Sequence, residues 1–221
     1  MAVDYNGFTF ERLGHASVKI TTPDDTIIYI DPWSDALEGK PGDGDIIFST
    51  HDDMDHYDPD AINAVATDDA IIAVYEEIDT SELGRNVDTL PYQDSVNIAG
   101  ISVTTIPAYN KTDGDHVDEN GNPFHAKREV IGLILEINST SIYFPSDTDF
   151  LDEHREISVD VFIPPIGGHY TMDRHEAAEF AQAVDPELVL PVHYDTFPPI
   201  ETDANAYKFE LESDGITVEL F

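Results

Sequence analysis

The chain of 221 residues contains no cysteine and only ten lysines and arginines. Without cysteine there is no disulfide, no thiolate metal ligand and no cysteine nucleophile, so catalysis falls to other groups. The few bases stand against 46 aspartates and glutamates, for a formal net charge of −36. Non-specific nucleic-acid binding needs cations to neutralise phosphates and is excluded on this balance. Long hydrophobic runs are also missing: no stretch approaches the ~18 apolar residues of a membrane span. Met1 to Phe10 lacks the basic start and apolar block of a signal peptide. A cytoplasmic protein with neither a membrane nor a nucleic-acid partner is expected. The acids are spread along the chain, as in Asp24-Asp25, Asp68-Asp69, Asp152-Glu153 and Glu210 to Asp214. Such a surface repels itself at low ionic strength and is tolerated where salt cuts the Debye length to ~3 Å, which points to an extreme halophile.

What is present is a rhythm of short β-branched and aromatic runs between turn residues. Strands are predicted over 8–12, 17–21, 26–30, 45–48, 71–75, 95–98, 101–106, 130–137, 141–144, 159–163, 188–192 and 217–220. Helices are predicted over 172–183, capped by Asp173 and stopped at Asp185-Pro186, and over 59–66 and 204–213. Two clusters of strands, each with helices, imply one α/β domain over residues 1–221, with two sheets face to face and helices outside. A chain of this size buries about 70% of the surface its unfolded form exposes. The polar segment from Tyr109 to Arg128 breaks the rhythm and reads as a lid or pocket wall. It carries Lys111, Lys127 and Arg128, either as an anion contact or as ordinary salt-bridge partners for nearby acids.

The densest chemistry lies in Ser49-Thr50-His51-Asp52-Asp53-Met54-Asp55-His56, directly after a predicted strand. Imidazole nitrogens and carboxylate oxygens suit zinc, manganese and iron, and a turn at a strand end can aim neighbouring side chains at one point.

In its ordered motifs the chain resembles the metallo-β-lactamase superfamily, whose signature is His-x-His-x-Asp-His followed by a lone His, a lone Asp and a final His. His51, Asp55 and His56 match the first block, and His125, Asp147 and His193 follow in order. The segments around Ile106 to Asn110, Tyr143 to Asp149, Gly167 to Asp173 and Pro191 to Tyr194 resemble the L-ascorbate-6-phosphate lactonase-like branch and its archaeal relatives. The resemblance implies an αββα sandwich holding two divalent metal ions, one on His51, Asp53 and His125, the other on Asp55, His56 and His193, with Asp147 shared. Asp53 stands where the signature has its second histidine. A short anionic ligand there admits manganese or iron beside zinc, the first expectation.

The activity implied is hydrolysis of a small, anionic ester, lactone or phosphoester by a metal-bound hydroxide, with Asp55 as ligand or proton acceptor. Tyr109, Lys127, Arg128, His169 and Tyr170 are the candidate substrate contacts, and Asp31 the strand-end aspartate that supports the metal loop. His15 reads as a structural or supporting histidine; His116, His154 and His175, set among acids, read as solvated. A metal-binding scaffold with little catalysis, or a diiron oxidoreductase, are the competing readings that Asp53 keeps open. Oligomeric state has no signature in the sequence.

Overall fold

The computed structural model describes residues 1–221. In the first sheet β1 (Ala2–Tyr5), β2 (Phe8–Gly14), β3 (Ser17–Thr21) and β4 (Ile27–Ile30) run antiparallel. Next come β5 (Gly44–Ser49), β6 (Ala66–Tyr75) and β7 (Asp88–Leu90), each parallel to its predecessor from β4 onward. The second sheet holds antiparallel β8 (Ser95–Ile98), β9 (Ile101–Ala108), β10 (Val130–Ile137) and β11 (Thr140–Phe144). It ends in two short parallel strands, β12 (Val161–Phe162) and β13 (Leu188–Val189).

Alternation along the strands turns Phe10, Ile20, Ile28 and Phe48 of one sheet and Leu133, Leu135, Ile142 and Phe144 of the other into one shared core. Helix α1 (Pro59–Val65) covers the first sheet. Gly44 gives it room, since a Cβ there would stand 2.9 Å from the Tyr29 ring and 3.0 Å from the Val65 carbonyl. Helices α2 (Arg174–Val184) and α3 (Ala204–Ser213) cover the second sheet, burying Phe180, Ala181, Tyr207 and Leu211 against Tyr143, Phe162 and Val189. Each helix opens on an aspartate whose carboxylate accepts from its first-turn amides: Asp58, Asp173 and Asp203. This is the αββα sandwich that the resemblance implies.

The strand predicted over 217–220 reduces to one bridge between Val189 and Val218, because β13 is only two residues long and offers little edge to pair with. Strand β1 escapes a hydrophobic reading because it is a half-exposed edge, and β7 because it is three residues long. His154 is fully buried, not solvated: its Nε2 donates to the Pro107 carbonyl at 2.8 Å and its ring stacks on Phe180 at 4.9 Å. His116 is half-buried and paired with Asp149 Oδ1 at 2.7 Å. The partners of both, Pro107 and Phe180 for His154 and Asp149 for His116, come from far along the chain, out of reach of local composition. His175 is exposed, with Glu210 at 3.4 Å.

Candidate metal centre

Parallel strands gather functional loops at their C-terminal ends. Asp31 lies just past β4, His51 to His56 past β5, Asp147 past β11 and His193 past β13. His125 arrives on the loop before β10, and His15 sits in the β2–β3 turn. Several of these residues have left-handed backbone: His15 (φ 51°), Asp31 (φ 46°), Ser146 (φ 59°) and His193 (φ 54°). Each such residue costs about 1–3 kcal/mol unless its surroundings hold it there. For His15 and His193 the hold is mutual, because the His193 amide donates to the His15 carbonyl at 2.9 Å. Arg12 adds to it, donating Nε to the His15 carbonyl at 3.1 Å and Nη2 to that of Tyr194.

Two groups of donors meet around Asp147. In the first, Asp53 Oδ2 lies 3.6 Å from His51 Nε2 and 3.3 Å from His125 Nε2. In the second, His15, Asp55, His56 and His193 each turn one ligating atom to a common point. Buried Asp147 stands between the groups, with oxygens 3.5 Å from His56 Nε2, 3.6 Å from His125 Nε2 and 3.2 Å from His193 Nε2. The separations in and between these groups are mostly long for hydrogen bonds. They match the edges, about 3.3–3.6 Å, of a tetrahedron whose arms are metal–ligand bonds of about 2.0–2.2 Å. His51 Nε2, His56 Nε2 and Asp147 Oδ1 are buried without any hydrogen-bond partner, a costly condition for polar atoms that a cation would relieve. The residues present therefore fit divalent metal.

Asp31 sets the tautomers. It accepts from His56 Nδ1 at 2.8 Å, from the Thr50 amide at 2.9 Å and from Thr50 Oγ1 at 2.7 Å. With its proton given to Asp31, Thr50 Oγ1 accepts from His51 Nδ1 at 3.0 Å, so one buried carboxylate leaves Nε2 of both histidines with a free lone pair. Sequence reasoning found Asp31 but not Thr50, or Ser146, whose hydroxyl lies 2.7 Å from that of Thr50. His15, read from the sequence as a structural or supporting histidine, stands with Nε2 3.0 Å from Asp55 Oδ2.

Electrostatics follow this arrangement. Burial opposes a charged His56, yet Asp147 and Asp31 outweigh it and push the imidazole up to about 10, so that without a cation Nε2 carries a proton that a bound metal would displace. Burial, joined by repulsion from His193 and His56, drives His15 down to about 4 against the pull of Asp55. Burial would raise Asp55, but His15 and His56 push it down to about 2. Asp53, its side chain 54% exposed, is held far below the usual carboxylate range by His125 and His51.

Asn110 entered the sequence reading only as the end of the segment Ile106 to Asn110, with no role. Buried at the start of the long loop, it accepts the His125 amide on Oδ1 at 2.8 Å and donates Nδ2 to Asp149 at 2.9 Å and to the Tyr170 carbonyl at 3.0 Å. Asn110 carries no chemistry of its own, so nothing local marks it.

Beside the first group is a cavity of about 370 Å³, walled by His51, Asp53, Glu77, Phe124, His125 and Arg128 among others. Of the three loop cations only Arg128 lines it. Lys111 pairs with Glu176 at 2.9 Å, and Lys127 lies 5.1 Å over the ring of Tyr109, outside the cavity wall. His169 and Tyr170 stand next to Phe124, with ring centroids 5.2 and 4.9 Å away.

A β-lactamase superfamily domain matches residues 9–193. The UPF0173 metal-dependent hydrolase of Methanopyrus kandleri is 30% identical, covering 94% of this chain and 93% of its own. Among solved structures, a candidate metal-dependent hydrolase from Parabacteroides distasonis superposes with a TM-score of 0.84 at 27% identity, over 100% of this chain and 97% of that one. Igni18, a metallo hydrolase from Ignicoccus hospitalis, gives 0.78 at 25% identity over 96% and 94%. These matches carry the superfamily and its hydrolases, and not the narrower lactonase branch. No helix is long and apolar enough to cross a membrane.

Proposed function

Because the chain belongs to the β-lactamase superfamily and, within it, to the UPF0173 metal-dependent hydrolases, we propose that it hydrolyses a small anionic ester, lactone or phosphoester in the cytoplasm of a halophile, using two divalent ions. The observation that carries this reading is the convergence of both donor groups on Asp147, with oxygen–nitrogen separations of 3.2 to 3.6 Å. His51, Asp53 and His125 would hold one ion, Asp55, His56 and His193 the other, and Asp147 both. Zinc suits the histidine donors, and Asp53 makes manganese or iron acceptable at the first position. When bound, such ions supply Lewis acidity and lower the pKa of water toward neutrality.

The remaining work belongs to the chain. Asp31, directly for His56 and through Thr50 for His51, holds the ring protons of both away from the centre. His15 Nε2, 3.0 Å from Asp55 Oδ2, would steady Asp55 as ligand or proton acceptor. Arg128, the cation on the cavity wall, meets the anionic end of the substrate.

The test is metal content per chain, together with hydrolysis of ester, lactone and phosphodiester panels in multimolar potassium chloride. About two ions per chain are expected, with activity toward one panel that a chelator abolishes. Asp53→Ala should lose about one ion and most activity, and Asp53→His should keep both and favour zinc. Full metal loading with no hydrolysis in any panel would replace this reading with a metal-binding scaffold.

A further inference from the structure

We infer that Phe124, His169 and Tyr170 form an aromatic subsite at the mouth of the metal centre, and that it takes an aromatic ring of the substrate. The inference rests on the hydrolase reading only for the identity of the neighbouring centre.

The three rings pack on one another, with centroids 5.2 Å apart for Phe124 and His169, 4.9 Å for Phe124 and Tyr170, and 4.4 Å for His169 and Tyr170. None belongs to either hydrophobic core. Phe124 and Tyr170 are half-buried and His169 is exposed, so the group retains apolar surface open to a ligand. Phe124 lines the same cavity as His51, Asp53 and His125, and it directly precedes His125 in the chain. The other walls of that cavity include Asp52, Glu77 and Glu129, against which Phe124, backed by the rings of His169 and Tyr170, is out of character for an acid-coated surface.

The backbone pays to present these rings. Gly168 (φ 72°) and His169 (φ 63°) are both left-handed, a conformation that a histidine adopts at a cost. Gly167 lets the loop approach the centre, because a Cβ there would collide with the His193 carbonyl. The Gly168 amide donates to the Met172 carbonyl at 3.2 Å, fixing the turn. Asn110 then joins platform to centre, holding the His125 amide with one end and the Tyr170 carbonyl with the other. The loop anchors itself in the second core through Met172 and is tied to a metal-centre histidine through Asn110. The rings of His169 and Tyr170 stay out of both cores and are free to meet something outside the chain. Tyr170 meets both Phe124 and His169 edge to face, while Phe124 and His169 are tilted by 43°. Such a group presents both π-faces and positive edges, so an aromatic guest gains more than an aliphatic one of equal area.

The probes are benzoate and acetate, which share a carboxylate and differ in the ring. Their binding to the metal-loaded protein in molar potassium chloride is followed by ligand-detected NMR, with metal content measured in parallel. Benzoate should bind about two- to tenfold more tightly than acetate. Phe124→Leu and Tyr170→Leu should each shrink that ratio toward one at unchanged metal content. His169→Asn, exposed and tolerant of left-handed backbone, tests the third ring without endangering the fold. Benzoate binding no more tightly than acetate, or a ratio that survives all three substitutions, overturns the subsite. Ring-dependent benzoate binding without hydrolysis of any ester leaves the subsite standing and removes the hydrolase reading. Hydrolysis with no preference for the ring does the reverse.

Discussion

At the residue scale the centre depends on side chains that do not face it. Asn110 satisfies the His125 amide, an oxygen of Asp149 and the Tyr170 carbonyl at once. Asn110→Ala strands all three in a buried place, at a cost of about 2–4 kcal/mol. If Asn110 positions His125, that cost should also appear as metal lost from the first donor group before the second when a chelator is titrated in. Asn110→Asp should be worse, since it sets a second carboxylate against Asp149. A lowered thermal midpoint with both ions released together would show that Asn110 braces the loop and does not position the ligand.

At the scale of elements, the turn Asp152–His154 is pinned to the second sheet and α2 by one imidazole. Burial pushes His154 down to about 4, with its bond to the Pro107 carbonyl opposing. Unfolded, it titrates near 6.5, so between these values the unfolded chain takes up a proton that the folded chain refuses. The associated stability is complete above pH ~6.5 and declines as pH falls toward 4, by at most about 3 kcal/mol. His154→Gln can still donate to Pro107 but does not titrate. Its thermal midpoint in multimolar salt should therefore fall less than the parent's between pH 6.5 and 4, and parallel curves would assign the acid sensitivity to other groups.

For the whole molecule the dominant quantity is the charge of −36. Lys19, Lys111, Arg155, Arg174 and Lys208 pair with acids, but ten bases cannot neutralise 46 acids. Three aspartates cap helices, and several more serve the centre or the loops around it. The remainder repel one another with little compensation. The thermal midpoint should climb with potassium chloride well into the molar range, as screening shortens the repulsion. A midpoint flat from low to multimolar salt would detach the acids from any halophilic adaptation.

The sequence by itself determined the donor types, their order along the chain and most of the core strands. Alternation over Ser17 to Thr21, the apolar run from Val130 to Ile137, and the acids and histidines from His51 to His56 are local properties that survive without a fold. It also placed Asp53 where a histidine belongs. Only the tertiary structure decided which donors meet, because His125, Asp147 and His193 come from separate strand ends and approach one another through sheet pairing. The same holds for Asn110, for His154 beneath Phe180 and for His15 against Asp55, each an ordinary residue until distant chain surrounds it. The three cations of the long loop separated for the same reason: one lines the cavity, one pairs with Glu176 and one covers Tyr109. Proximity in sequence brings charges near one another, but burial and backbone direction choose what each of them faces.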